Sequence, residues 1–432
     1  MRIEPTPSLS PRAARLIALG MCALVPLAAV EFFLCVFRYD NDFLWHRLLG
    51  ISFLQDQLYD AFGHHYLPAR AMIDAATAWM PYRLDRAIWL LATCAGLAWC
   101  VRFWSDFERR PVPAWAIPAL LALAVTGSYV HRDLVECGLQ LFLLELLSVA
   151  LWGLLHGRSS LCGLSLGLAA VYKVTPLIFL PFLLWKRQWR AAGWMAGSTV
   201  FFCLLPGLFV GWQRNIELHS QWFDYAGRLM AQDDPAENGI EPATMHNQSL
   251  PVMLARLVED FPEGHPLYIG RGPLARWARF DPLSAKRFMQ GALLVFALGL
   301  AWRFRRSIDL TDGGEAIAWE WSAMCSLTAL LSPMCWLQHL VLVIPTALLF
   351  AQYAAAGRAR RWQWNAAGAA TALMLLVHKD LLGLTLCDLL SSYQPHTVAS
   401  VLLVVLAIGT RSPGPSANAA EEVSPNGYSL AA

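Results

Sequence analysis

The chain has 432 residues, of which 57% are hydrophobic and 15% charged, and its 33 Lys and Arg against 31 Asp and Glu leave a net charge of +2. Soluble domains carry about a quarter charged residues, so this composition, with a mean hydropathy of +0.43, excludes a soluble globular core. So small a net charge gives no bulk attraction to nucleic acid or to an acidic partner.

Apolar stretches of about 15 to 25 residues recur along the whole length, each long enough to cross or nearly cross a bilayer. They predict an all-α, polytopic integral membrane protein of about 11–13 transmembrane helices, with residues 1–411 forming a single domain. The first stretch, Leu16 to Phe37, is too long for a signal h-region and has no small-x-small cleavage site, so it reads as a retained helix. The ten cysteines lie mostly within apolar stretches, as Cys94, Cys203 and Cys325 do, with no CxxC, and read as small buried hydrophobes.

Basic clusters fall between the apolar stretches: Arg12/Arg15, Arg109/Arg110, Arg158, Lys186/Arg187/Arg190, Arg303/Arg305/Arg306, Arg358/Arg360/Arg361 and Arg411. Under the positive-inside rule these loops and both termini face the cytoplasm, in the plasma (inner) membrane. External segments then fall near residues 38–86, 129–136, 212–286, 332–339 and 378–395. Two of them, 38–86 and 212–286, are too long to be connectors and are where chemistry is expected. Residues 412–432, rich in Pro, Ser, Ala, Asn and Glu, read as a disordered cytoplasmic tail.

The first external loop opens with Arg38-Tyr39-Asp40-Asn41-Asp42-Phe43, two carboxylates at the outer surface beside aromatic residues. Either Asp can serve as a general base, its pKa raised by burial or lowered by Arg38; a solvated helix end is the competing reading. Tyr59-Asp60 and His64-His65-Tyr66 add polar groups, but adjacent His point apart on a helix and make a poor metal pair. Between two basic clusters, Tyr172-Lys173-Val174-Thr175-Pro176 interrupts an apolar stretch. Proline there predicts two short helices meeting at a break, with Lys173 facing a polar cavity or snorkelling to an interface.

In the third external loop, Met245-His246-Asn247-Gln248-Ser249-Leu250 can grip sugar hydroxyls. Its competing readings are a helix cap at Ser249 or Asn247 and a chance glycosylation sequon. Finally, Leu331-Ser332-Pro333-Met334-Cys335-Trp336-Leu337-Gln338-His339 breaks an apolar stretch at its outer end. His339 can hold a phosphate or orient a base, or serve as a satisfied core histidine. No Walker loop, GxGxxG, HExxH or supported GxSxG appears, which leaves nucleotide, dinucleotide, zinc-protease and hydrolase chemistry unsupported.

Taken together, these motifs resemble the polyprenyl-phosphate-mannose-dependent mannosyltransferases of glycosyltransferase family 87, in the membrane GT-C superfamily. The resemblance runs through Asp42-Phe43 with Leu58-Tyr59-Asp60, and through Gly163–Ala170 into Lys173-Val174-Thr175-Pro176. It continues in Asn247-Gln248-Ser249-Leu250 and in Ser332-Pro333 with Trp336 and His339. It implies that Asp42 is the general base, with Asp40 the alternative, that His339 lies in the donor-phosphate region, and that Lys173 helps shape the same cavity. His46 stands where the family has an aromatic, Tyr66-Leu67-Pro68 where it has Tyr-Pro-Pro, and Cys335 and Gln338 where Ser and His are commoner. Cys137-Gly138-Leu139-Gln140 takes the place of its Gly-Gln-x-Asn.

The expected function is therefore an inverting transfer of a hexose, mannose by resemblance, from a polyprenyl-phosphate sugar to a glycolipid or glycan on the extracytoplasmic face. Donor or acceptor contacts are expected from His339, Lys173, Asn247, Gln248, Ser249, Trp336, Tyr59 and His46. No metal or other cofactor is expected, the partners being the two substrates and membrane lipids. The rival from another class is a non-enzymatic lipid or polysaccharide transporter or flippase, whose polar groups would gather near the midplane and whose halves would be alike. An inactive subunit of an envelope-assembly complex is a third reading.

Overall fold

The computed structural model describes residues 30–37, 42–61, 66–108, 115–231, 247–261, 278–308, 314–377, 379–391 and 393–410. Asp40, His64, His65, His246, the Arg109/Arg110 pair, most of the first apolar stretch and the 412–432 tail lie outside them. Among the described residues the chain is helical throughout, apart from a single bridge between Glu259 and Phe280, as the composition predicts. Four helices are long and apolar enough to cross a bilayer: Tyr82–Ser105, Trp189–Val210, Pro282–Arg303 and Leu337–Ala355. There are up to six such spans if each of two bent pairs counts as one. Leu294, Val295 and Leu298 stand 60%, 71% and 60% exposed on one of these helices. An apolar face of this kind is covered by lipid rather than by protein.

Small residues set the closest helix contacts, as they do where no hydrophobic force separates helix from lipid. A Cβ on Gly163 would come within 2.6 Å of Met195 N, and one on Gly167 would collide with Ser198. These glycines let the Ser159–Tyr172 and Trp189–Leu204 helices touch backbone to backbone. In the first loop, a Cβ on Gly50 would lie 2.6 Å from Ala75 N. That glycine lets the Asp42–Leu54 helix lie directly on the Pro68–Ala78 helix, while Phe43 meets Tyr82 edge-on at 5.7 Å.

Two breaks shape the interior. The Ser159–Tyr172 helix ends at Lys173, in extended backbone, and restarts as a 3-10 turn at Thr175–Ile178. This is the interruption that Pro176 predicts. The second break is sharper: the Ala116–Glu136 and Gln140–Leu155 helices meet at 115°. Cys137 and Leu139 make the corner at φ of 50° and 57°, a conformation that costs about 1 kcal/mol for residues with a Cβ.

The chain separates its chemistry between two ends. At one end the basic loops meet: Lys186 pairs with Glu320 and donates to Arg306 O at 2.7 Å. Arg358 grips Glu315 through two bonds of 3.0 and 2.9 Å, and Arg303 donates to Ile408 O and Thr410 O. The first loop, the 137–139 corner, Lys173, the Asn247 segment and the Ser332–His339 turn gather away from these, joined by the contacts described next.

Candidate active site

Asp42 opens its helix and accepts a hydrogen bond of 2.8 Å from Gln338 Nε2. Asp133, buried near the end of the Ala116–Glu136 helix, accepts at 3.0 Å from the backbone N–H groups of Gln140 and Leu141. A carboxylate over the first N–H groups of a helix is favoured by both hydrogen bonding and the helix dipole, which explains how the left-handed corner is held. Gly138 sits between the two acids. A Cβ there would lie 3.0 Å from Asp133 Oδ1, 3.4 Å from Gln338 Cγ and 3.6 Å from Asp42 Oδ2. The missing side chain is what lets two carboxylates and an amide converge.

Lys173 reaches the same corner from the broken helix, donating from Nζ to Gln140 Oε1 at 3.3 Å. Its charge acts on both Asp133 and His339. His339 is buried and turns Nδ1 toward its own loop, at 3.1 Å from both Trp336 N and Met334 O. That leaves Nε2 as the nitrogen able to meet a substrate. Trp336 contributes backbone to this turn, its N–H donating to His339 and its carbonyl accepting from His339 N at 2.9 Å.

Behind Asp42 lies a buried cluster from the first loop. Arg70 pairs with Asp74 at 2.9 Å and lies over the Tyr172 ring at 3.6 Å. Burial outweighs that pairing and pushes the Asp74 carboxyl up to about 6. The His46 ring meets Tyr66 edge-on at 6.0 Å. Burial, and then the Arg70 charge, hold its imidazole well below the usual histidine range, so it is neutral near pH 7, and its buried Nδ1 has no hydrogen-bond partner. Tyr59 donates to Tyr66 O at 2.8 Å, a strut within the loop, and burial raises its phenol.

The Asn247-Gln248-Ser249 run is placed differently from a row of sugar ligands. Asn247 Oδ1 accepts from Ser249 N and Cys335 N at 3.1 and 3.0 Å, and its Nδ2 donates to Pro333 O at 2.9 Å. The Gln248 backbone binds Cys335 O and Thr397 Oγ1, and Ser249 Oγ caps the Leu250–Val258 helix by accepting from Val252 N at 3.4 Å. All three residues are buried. Of the readings open from sequence, the helix cap is the one Ser249 adopts, and Asn247 clamps the turn that carries His339.

Sequence reasoning passed over Asp133 and Arg70 as site residues and met Gln140 and Gln338 only in departures from the family pattern. Asp133 had a usable signal, since His131-Arg132-Asp133 is a charged interruption between two apolar stretches. Arg70, in Pro68-Ala69-Arg70-Ala71, had none.

Comparison with known proteins bears on this arrangement. Residues 64–333 match glycosyltransferase family 87. The chain belongs to that family. The matched stretch holds Arg70, Asp133, Lys173 and Asn247, with Asp42 before it and His339 after it. The chain is also similar to an alpha-(1->3)-arabinofuranosyltransferase of Corynebacterium glutamicum, 35% identical over 107 residues. That similarity takes in 23% of this chain and 23% of the relative's own length. No solved structure matches.

Proposed function

We propose that this family 87 chain is an inverting membrane glycosyltransferase that moves a hexose, mannose in the first instance, from a polyprenyl-phosphate sugar to a glycolipid or glycan on the extracytoplasmic face. The observation that carries this reading is the convergence of Asp42 and Gln338 on one side of Gly138 with Asp133, Gln140 and Lys173 on the other. In this scheme Asp42 takes the proton of an acceptor hydroxyl as its oxygen bonds to the anomeric carbon, and the bond from that carbon to the lipid phosphate breaks. One displacement inverts the centre, as it does when inverting glycosidases use water. Gln338 holds the Asp42 carboxylate in line by donating to Oδ2, which leaves Oδ1 to take the proton. The charge developing on the phosphate falls to Lys173 and His339 Nε2 in a site where a low dielectric strengthens each contact. No metal enters the scheme, because these two groups meet the need of a phosphate leaving group. His46, neutral and with an unanswered Nδ1, is suited to accept a hydrogen bond from a sugar hydroxyl.

A second reading replaces the hexose with a pentofuranose, and the name of the corynebacterial relative is what favours it. Purified protein supplied with polyprenyl-phosphate mannose, polyprenyl-phosphate arabinofuranose or a nucleotide sugar separates them. The hexose reading predicts release of polyprenyl phosphate from the first donor alone. Turnover of the arabinofuranose donor alone favours the second reading, and turnover of the nucleotide sugar overturns both. Intact, lipid-binding protein that consumes no donor returns the argument to the transporter or the inactive subunit.

A further inference from the structure

The other fully buried arginines of the described chain are answered from within it. Arg70 has Asp74 and the Tyr172 ring, and Arg86 donates to Val135 O at 2.6 Å and Tyr82 Oη at 3.2 Å. Arg256 is different. It lies on the Leu250–Val258 helix at 3% exposure, and none of its Nε, Nη1 and Nη2 atoms has a hydrogen-bond partner among the described residues. Burial alone acts on it and pulls it down to about 10, which leaves it cationic at neutral pH. A buried charge without a partner costs several kcal/mol, so an anion beyond the described residues is the missing part of this site.

The surroundings say what that anion is attached to. The Leu250–Val258 helix packs against the Pro282–Arg303 helix, a membrane-crossing candidate whose Leu294, Val295 and Leu298 are exposed. A planar guanidinium matches a phosphate through paired N–H donors, and the apolar helix beside it suits a hydrocarbon tail. Arg256 is seven residues beyond the Ser249 cap, about 10 Å along the helix from the clamp on the His339 turn. We propose that Arg256 is a binding site for the phosphate headgroup of a membrane lipid whose chain lies along the Pro282–Arg303 helix. The source is either a polyprenyl phosphate or an anionic phospholipid, and the proposal holds whether or not the reaction above is correct.

The test uses the full chain in a phosphate-free nonionic detergent, with thermal unfolding as readout and polyprenyl phosphate, phosphatidylglycerol and uncharged polyprenol as probes. The wild type is expected to gain Tm with a phosphate lipid and not with polyprenol. Arg256→Met is expected to be no less stable than wild type without lipid, because an unpaired buried charge is gone, while its titration midpoint rises about 10-fold or more. Arg256→Lys, which keeps the charge but not the fork, falls between. A stronger response to polyprenyl phosphate identifies the isoprenoid source, and a stronger response to phosphatidylglycerol the bilayer. A lower lipid-free Tm in Arg256→Met, or a midpoint that does not move, overturns the site.

Discussion

At the scale of single residues, the site depends on an absence, the side chain that Gly138 lacks. Gly138→Ala would place a Cβ 3.0 Å from Asp133 Oδ1, tight enough to shift that carboxylate by a few tenths of an ångström, and in ordinary contact with Asp42 Oδ2 at 3.6 Å. A shift of that order beside the reacting groups, where a misplacement of about 1 Å costs about 100-fold, is expected to lower kcat at saturating donor while Tm changes little. Gln338→Ala, measured in the same way, removes the 2.8 Å bond that aims Asp42 and is expected to lower kcat more than it raises KM. Asp42 was legible from sequence together with Asp40, because carboxylates after an apolar stretch are conspicuous. Gln338 was not, because its meaning lies in a partner 296 residues away, which no local pattern encodes.

Among the elements, two broken helices and one clamp position these groups. The break at Lys173 was readable from Pro176, since proline removes a helical N–H donor. The corner at 137–139 was not, because the left-handed residues are Cys137 and Leu139 rather than the glycine between them; the Asp133 carboxylate, bonded to the next helix, compensates their strain. Asp133→Asn sets an amide donor against one of those backbone N–H groups, and is expected to cost about 1–3 kcal/mol, seen as a lower Tm. In the clamp, Ser249→Ala loses a helix cap worth about 1 kcal/mol, whereas Asn247→Ala also frees the turn that holds His339. The discriminating result is that Asn247→Ala loses transfer activity out of proportion to its loss of Tm, while Ser249→Ala loses the two together. The clamp was not legible in sequence, because a run of amides looks the same whether its partners are hydroxyls or backbone.

For the molecule as a whole, the sequence carried the helical, membrane-embedded architecture through hydropathy alone, because a bilayer imposes a length and an apolar surface on every crossing. The separation into a basic end and a carboxylate end was legible in outline through the spacing of the arginine clusters. Which loops touch was not, since Arg303 with Thr410 and Arg358 with Glu315 are contacts of the tertiary structure. If the two ends face opposite compartments, Trp45→Cys and Arg305→Cys, both at exposed positions, will react with a membrane-impermeant maleimide from opposite sides of sealed vesicles. Labelling of both from one side would contradict the topology. One-sided gathering of Asp42, Asp133, Lys173 and His339 also argues for catalysis over transport, because alternating access needs a site that both faces can reach.

The most direct measurement is transfer of radiolabelled hexose from a synthetic polyprenyl-phosphate donor to membrane glycolipid extracts by wild type, Asp42→Asn and Asp40→Asn, with folding of each checked by Tm. Loss of a general base slows a reaction by about 100- to 10,000-fold. The expected result is a loss of this size in Asp42→Asn alone, with its Tm retained. Undiminished transfer by folded Asp42→Asn, or loss confined to Asp40→Asn, would contradict the assignment of Asp42 as the base.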